Sequence, residues 1–323
     1  MLSTINTNTT TPSTALSIPE VMSQKPLRFD NRVAIVTGSG RGLGREHALL
    51  LGRLGAAVVV NSNTPSTAEK TVKDIVNAGG KAIVYVGSVA DRAVADALVK
   101  KAVDTFGRID IVINNAGFTK PAAFESATNA FLSEILDVHV GGSFNVTQAA
   151  WPYMRKQRYG RVVMITSHWI FGKAEQSVYA AAKLAVVGLT KTISLEGREH
   201  NILVNSVATA GFTDSIMENT ESVQAQELMK QYIPAAEAAP PVLWLTHEDC
   251  KVSGETIGAM GRIVTRIFIA ETHGFQGAAG EEWKVETVRD NWPKVIGEKD
   301  YAVHASTDEM GAATFPRLMG GQS

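Results

Sequence analysis

Short runs of Val, Ile and Ala alternate along this chain with longer segments whose apolar positions recur every three or four residues. Arg32–Thr37 predicts a buried strand, and a helix is expected from about Leu43 to Leu54. The alternation repeats, with strands at Ala56–Asn61, Lys81–Val86, Asp110–Asn114, Arg161–Thr166 and Ile202–Val207. Between them lie helices at Ala68–Ala78 and Arg92–Phe106, over roughly Asn129–Gln157, and from the segment around Tyr179 to about Glu199. Near-continuous apolar strands separated by helices are strands buried on both faces, which means a parallel sheet covered on either side. The fold class is therefore α/β, a single doubly wound parallel sheet of the Rossmann type with helices on both faces.

Beyond Val207 the pattern loosens. Ala210–Ile233 reads as a mobile substrate loop with short helices, Pro240–His247 as a helix and Glu255–Met260 as a last strand. Residues 1–27, rich in Ser, Thr and Asn, bury too little to offset their ordering entropy and are expected to form a flexible arm. The sheet domain then covers 28–273. A polar tail carrying Trp283 and Trp292 is expected over 274–323, packed on the domain or on a partner subunit.

Composition narrows the classes. With 323 residues, 45% of them apolar and 20% charged, the chain can bury a large core. A formal net charge of −1 without a basic block argues against a nucleic-acid partner. One cysteine, Cys250, leaves no pair for an internal disulfide and suits a reducing, cytoplasmic setting. The arm lacks the apolar core of a secretory signal and the arginines of a mitochondrial presequence, and the closing Gly-Gly-Gln-Ser is no peroxisomal address. No apolar run approaches the roughly 20 residues that cross a bilayer, so no membrane partner is expected. Seven histidines show no paired spacing, so no metal is expected, and His47 reads as a surface or packing residue.

Two distant motifs carry the chemistry. Thr37-Gly-Ser-Gly-Arg-Gly-Leu-Gly44 places Gly38, Gly42 and Gly44 between the first strand and its helix. Glycines there allow a tight turn and let the backbone approach a pyrophosphate, which the helix N-terminus then holds. An acid at the end of the second strand would bind the 2′-hydroxyl of NAD. This chain has Asn61-Ser62-Asn63 instead, and Arg41 inside the turn offers a guanidinium to a phosphate. Both features favour NADP(H) over NAD(H).

The second motif is Tyr179-Ala-Ala-Ala-Lys183, two side chains one helical turn apart. A tyrosine titrates near pH 10, and a neighbouring ammonium stabilises its phenolate and brings it toward the range useful for proton transfer. Lys183 is also placed to hold the nicotinamide ribose. A hydroxyl at the end of the fifth strand would orient a carbonyl as charge develops on it. Counting forward from Gly160 favours Ser167, while counting back from Tyr179 favours Thr166. His168 and Trp169 follow, shaping a pocket or packing.

With Asn114-Asn-Ala-Gly117 between them, these motifs resemble those of the short-chain dehydrogenase/reductase family, over about Phe29 to Gly297. Within it, Asp137–Phe144, Ala149–Arg155, Val242–Glu248 and Asp290–Lys294 look most like the (3R)-hydroxyacyl-CoA dehydrogenase units of peroxisomal multifunctional enzymes. The resemblance implies hydride transfer at nicotinamide and a homodimer or homotetramer built on the long helices. It implies a cofactor site at Gly38, Arg41, Gly42, Leu43, Gly44, Asn61, Ser62, Ser88, Val89, Asn115, Ala116, Gly117, Tyr179 and Lys183. Ser167, Tyr179, Lys183 and His139 become the catalytic set, His139 standing where most members carry an asparagine that supports a water relay behind the lysine.

Several positions depart from the pattern. Ser62 replaces the subgroup's aspartate, the loop after Ser167 is one residue short, and Thr209 replaces the usual proline after strand six. The last two sit where substrate meets nicotinamide and shift the expected substrate from an acyl-CoA to a ketone or secondary alcohol of a small or polyketide-like molecule. An NAD-linked (3R)-hydroxyacyl-CoA dehydrogenase, a redox-free cyclase or dehydratase and an NADP(H)-binding scaffold are the other readings of the same residues.

Overall fold

The computed structural model describes residues 26–211, 213, 222–278 and 282–318. Most of the predicted arm and much of the predicted substrate loop lie outside the described residues. One compact unit spans Leu27–Ile267, and the remaining described chain from Phe268 belongs to a second.

In the first unit, β1 (Val33–Val36), β2 (Ala57–Ser62), β3 (Lys81–Val86), β4 (Ile111–Asn114), β5 (Gly160–Thr166), β6 (Ile202–Ala210), β7 (Thr256–Met260) and β8 (Ile263–Ile267) form one sheet. Their spatial order is β3-β2-β1-β4-β5-β6-β7-β8. All neighbours run parallel except β7 and β8. Chain order reverses between β1 and β4, and in open sheets of this kind ligands bind beyond the carboxyl ends of the strands at that switch point.

Alternate strand residues feed opposite layers. Ala34 and Val36 join Ala48 and Leu51 of α1 (Gly42–Arg53), Ala68 and Ile75 of α2 (Pro65–Asn77) and Val242 in one apolar cluster. Val33 and Ile35 join the other cluster. There they meet Leu98 of α3 (Arg92–Phe106), Val146 and Met154 of α5 (Gly142–Gln157) and Val186 of α6 (Ser177–Gly197). The two clusters are the two faces of a doubly wound sheet, each sealed by helices.

Several boundaries differ from the sequence reading for identifiable reasons. Helix α2 begins at Pro65, three residues before the predicted start, because Thr64-Pro65 supplies a helix entry with proline in the first turn. The segment read as helical from Asn129 is interrupted. After α4 (Asn129–Leu136) comes a π-helical turn at Asp137–Gly141, and only then α5. Strand β6 continues to Ala210, with Thr209 paired to Ala259. Proline cannot donate to a ladder, so threonine at 209 permits an extension that the family's proline would oppose. Strand β8 was not expected; Gly261, with φ of +57°, turns the chain back antiparallel onto β7.

Composition alone would also let Ser177–His200 cross a bilayer, at a mean hydropathy of 1.3, which corrects the expectation that no run comes near that length. That segment contains α6, whose Lys183, Val186 and Thr190 are buried within the unit. His47, which allowed a surface reading, is wholly buried in α1.

The second unit contains a short antiparallel pair, Glu271–Thr272 with Tyr301–Ala302, and a helix at Thr307–Leu318. Phe275 and Trp283 stack there at 5.7 Å.

Candidate active site

The glycine turn is built against two neighbours. Gly38 has φ of +61°, and a Cβ on it would come 2.8 Å from the Ala116 backbone. Asn115 Nδ2 donates to the carbonyls of Thr37 and Gly38, while Thr37 Oγ1 accepts the amides of Asn115 and Ala116. The Asn-Ala-Gly segment therefore staples the turn to the end of β4. Arg41 then adopts an extended conformation and α1 starts with no side-chain cap and no acid in its first turn. Its free amide groups and partial positive charge suit a phosphate.

At the end of β2 the assigned residues divide. Asn61 turns its amide to the carbonyls of Tyr85 and Gly87, so its side chain holds the sheet edge. Ser62 instead faces Thr67 across Gly40, its hydroxyl taking the Thr64 amide at 3.1 Å. A Cβ on Gly40 would strike Thr67 Oγ1 at 2.4 Å and Ser62 Oγ at 2.9 Å. Thr64, Thr67 and Gly40 were absent from the sequence assignment. Arg41 is exposed and forms no ion pair among the described residues. Ser88 and Val89 line the same cavity, of about 950 Å³, that reaches from the glycine turn past Leu43 to Tyr179.

At the other end of that cavity, β5 delivers Thr166 and Ser167 beside α6. Thr166 Oγ1 donates to the Lys183 carbonyl at 2.7 Å, which ties it to the helix backbone. Ser167 Oγ accepts the Trp169 amide at 3.2 Å, and its hydroxyl acts on the Tyr179 phenol, opposing the rise that burial causes. Of the two hydroxyls left open by the sequence, Ser167 is the one facing the phenol. Tyr179 is also flanked edge-on by two rings, His139 at 5.3 Å and Trp169 at 5.4 Å.

Lys183 is buried, and its ammonium donates to the Ile165 carbonyl at 2.7 Å. It lies 5.6 Å from the centre of the Tyr179 ring. Burial dominates both groups, raising Tyr179 to about 12 despite the opposing hydrogen bond from Ser167, and lowering Lys183 to about 7. The downward pull expected from the ammonium does not act on the phenol here: burial raises Tyr179 and Ser167 alone opposes it.

His139 sits on the π-helical turn, a feature common at functional sites. Its Nε2 lies 2.7 Å from the Phe118 carbonyl, and its Nδ1 is buried without a partner among the described residues. Burial, with the nearby Lys183 charge acting the same way, lowers it to about 3, so the ring is neutral. A Cβ on Gly117 would come within 2.1 Å of that ring, which explains the glycine closing the Asn-Ala-Gly segment.

A switch-point cleft with a glycine turn at one end and a Ser-Tyr-Lys group at the other defines a dinucleotide-dependent dehydrogenase site. The short-chain dehydrogenase family model matches residues 32–226, and the chain belongs to that family. It is 40% identical over 281 residues to the peroxisomal multifunctional enzyme type 2 of Mus musculus, an alignment covering 84% of this chain and 37% of that protein. The full-length enzyme of that name from Drosophila melanogaster superposes with a TM-score of 0.76 at 32% identity, over 91% of this chain and 50% of the other. This chain thus spans half or less of the length of both relatives. A 7α-hydroxysteroid dehydrogenase complexed with NADH and 7-oxo glycochenodeoxycholic acid superposes with a TM-score of 0.68 at 28% identity, over 73% of this chain and 95% of that one.

Proposed function

We propose that this dehydrogenase transfers hydride between NADP(H) and a ketone or secondary alcohol of a small or polyketide-like substrate. The observation that carries the reading is the single cavity joining the glycine turn to Ser167, Tyr179 and Lys183. The residues fit a dinucleotide. Gly38 and Gly40 have no space for a side chain, while a Cβ on Gly42 would meet only Thr213, at 3.4 Å. That leaves the turn open toward a phosphate beside the uncapped start of α1.

The preference for NADP(H) rests on the adenosine end. Ser62 and Thr67 present hydroxyls and no carboxylate, and Arg41 is exposed without an ion pair among the described residues, available to a 2′-phosphate. When bound, the nicotinamide supplies or accepts the hydride. Lys183 would hold its ribose, and the Asn115–Gly117 backbone would flank it.

In reduction, the carbonyl carbon takes the hydride as a new C–H bond and the C=O π pair moves to oxygen. Tyr179 gives that oxygen its proton. Ser167 steadies the developing charge with a hydroxyl whose oxygen is already fixed by the Trp169 amide. With Tyr179 raised to about 12, the phenol is protonated at neutral pH and enters as an acid. Lys183, lowered to about 7, is the adjacent group able to change charge there. Alcohol oxidation reverses the steps, with Tyr179 as the base.

The 40% identity to a peroxisomal multifunctional enzyme favours a second reading, an NAD-linked (3R)-hydroxyacyl-CoA dehydrogenase. Titration of NADPH and NADH at equal ionic strength separates the two. Tighter NADPH binding, lost in Arg41→Ala, is the expected result; tighter NADH binding overturns the cofactor assignment and favours the second reading.

A further inference from the structure

Thr209 is a buried threonine at the chemical end of the cavity whose hydroxyl the fold leaves unused. The residue is 8% exposed, and its Oγ1 makes no hydrogen bond among the described residues, yet that atom is not sealed from solvent. It lines the cavity with Ile165, Ser167 and Tyr179. The register that pairs Thr166 with Ala208 puts Thr209 beside Ser167, where the chain is still extended. Ile165 and Val207 belong to the apolar cluster under α1, and alternate strand positions share a face, so Thr209 is on the α1 side. Beyond it the chain follows the cavity to the glycine turn. A Cβ on Gly211 would come 2.7 Å from Leu43 Cδ2, and one on Gly42 would come 3.4 Å from Thr213. Tyr179 and Lys183 enter from α6, which packs on the other layer. The proline of the family pattern would offer no hydroxyl at this point.

We infer that Thr209 positions the nicotinamide, its hydroxyl hydrogen-bonding the ring carboxamide from the side of the cavity opposite α6. A carbonyl held by Ser167 and Tyr179 has to meet C4 of the ring, and the adjoining ring carbon bears the carboxamide. That brings the amide within reach of a hydroxyl beside Ser167. A hydroxyl is both donor and acceptor, and an amide offers a partner for each. A bound ring also shuts the Thr209 hydroxyl off from water, and leaving it unpaired there would be unfavourable. The bond therefore favours the one rotation of the ring that answers Thr209.

The inference rests on the dehydrogenase reading of the same site, and binding measurements separate their failures. The purified full chain is titrated with NADPH and with 2′,5′-ADP, which carries the adenosine end without the nicotinamide. NADH and ADP-ribose form the matching pair where NADH binds more tightly. Thr209→Val keeps the shape of the side chain and removes its hydroxyl. It is expected to weaken the dinucleotide about three- to tenfold, the worth of one hydrogen bond, and to leave the truncated ligand within about twofold. Thr209→Ser should restore the dinucleotide affinity. A purely structural role would move both ligands together. Should Thr209→Val not fold, judged by its thermal midpoint, Thr209→Ala is compared with Thr209→Ser in its place. An affinity ratio unchanged in the apolar variant overturns the role of Thr209 and leaves the dehydrogenase reading standing. Binding of neither dinucleotide to the wild type overturns both.

Discussion

The two ends of the central sheet hold buried charge in different settings. At the amino ends of β1 and β4, Asp110 is fully buried and fully engaged. It accepts the Val33 amide, both Arg108 nitrogens that face it and, at 3.4 Å, Arg32. Arg32 reaches on to Glu248 at 2.5 Å. Arg161 has no carboxylate partner among the described residues but donates to the Gly160 and Asn201 carbonyls and lies 4.4 Å over the Tyr159 ring. At the carboxyl ends, the equally buried Lys183 faces a carbonyl and an aromatic ring. Asp110 and Arg161 line no part of the cavity, whereas Lys183 borders it beside Tyr179, where a buried cation with a lowered pKa serves chemistry.

Substitution at each end sharpens the contrast. Tyr179→Phe is expected to lower turnover by about 10²–10⁴-fold, the usual worth of a positioned proton donor. Nucleotide affinity and thermal midpoint should stay near wild type. Full turnover in a folded Tyr179→Phe protein would break the assignment of the carboxyl end. Asp110→Ala should do the reverse. It leaves the buried Val33 amide without its acceptor and destabilises by about 1–3 kcal/mol, read as a lower urea midpoint with an unchanged KM. A shifted KM with unchanged stability would place chemistry at the wrong end of the sheet.

Glycine offers a finer test within the carboxyl end. Gly117→Ala would push a methyl group into the His139 ring, where a Cβ has only 2.1 Å, and so displace a ring that flanks Tyr179. Turnover should fall by about tenfold or more, on the principle that small misplacements near reacting groups are costly. Gly188→Ala on α6 is the control. Nothing lies within 4 Å of its added Cβ, so stability should rise by about 0.4–1 kcal/mol with turnover unchanged. Equal effects of the two would remove the argument for Gly117.

The frame of this site was legible in the chain because each part depends on local rules. Apolar runs gave the strands, the glycines gave the turn, and Tyr179 and Lys183 share a helix face whatever surrounds them. What escaped depends on contacts between distant segments. Whether Thr166 or Ser167 faces Tyr179 is settled only by the hydrogen bond of Thr166 to the Lys183 carbonyl. The direction of the Tyr179 shift required its burial, which spacing along a helix does not report. Asn61 lines the cavity, but that its amide also holds the Tyr85 and Gly87 carbonyls has no local signal. Strand β8 does carry a local signal, a glycine two residues before a β-branched run at Ile263-Val-Thr265.

The smallest expected effect concerns buried histidines that differ only in location. Burial lowers His47 and His139 alike from 6.5 to about 3. Below pH 6.5 the unfolded chain binds protons that the folded protein refuses, so stability is full above that value and falls as pH drops toward 3. Each group contributes at most about 1.4 kcal/mol per pH unit across that window, and the lowered pKa of His168 acts in the same direction. Carboxyls such as Asp74, held down by Lys70 and Arg45, and Glu248, held down by Arg32, add slope mainly nearer pH 4. Urea unfolding between pH 6.5 and 5 therefore isolates the histidines. His47→Leu should flatten that slope by up to one group's share and leave turnover at pH 7 unchanged, because its ring touches no part of the cavity. A slope that His47→Leu does not alter would mean that this imidazole is hydrated in solution, and that its neutrality is no part of how α1 packs.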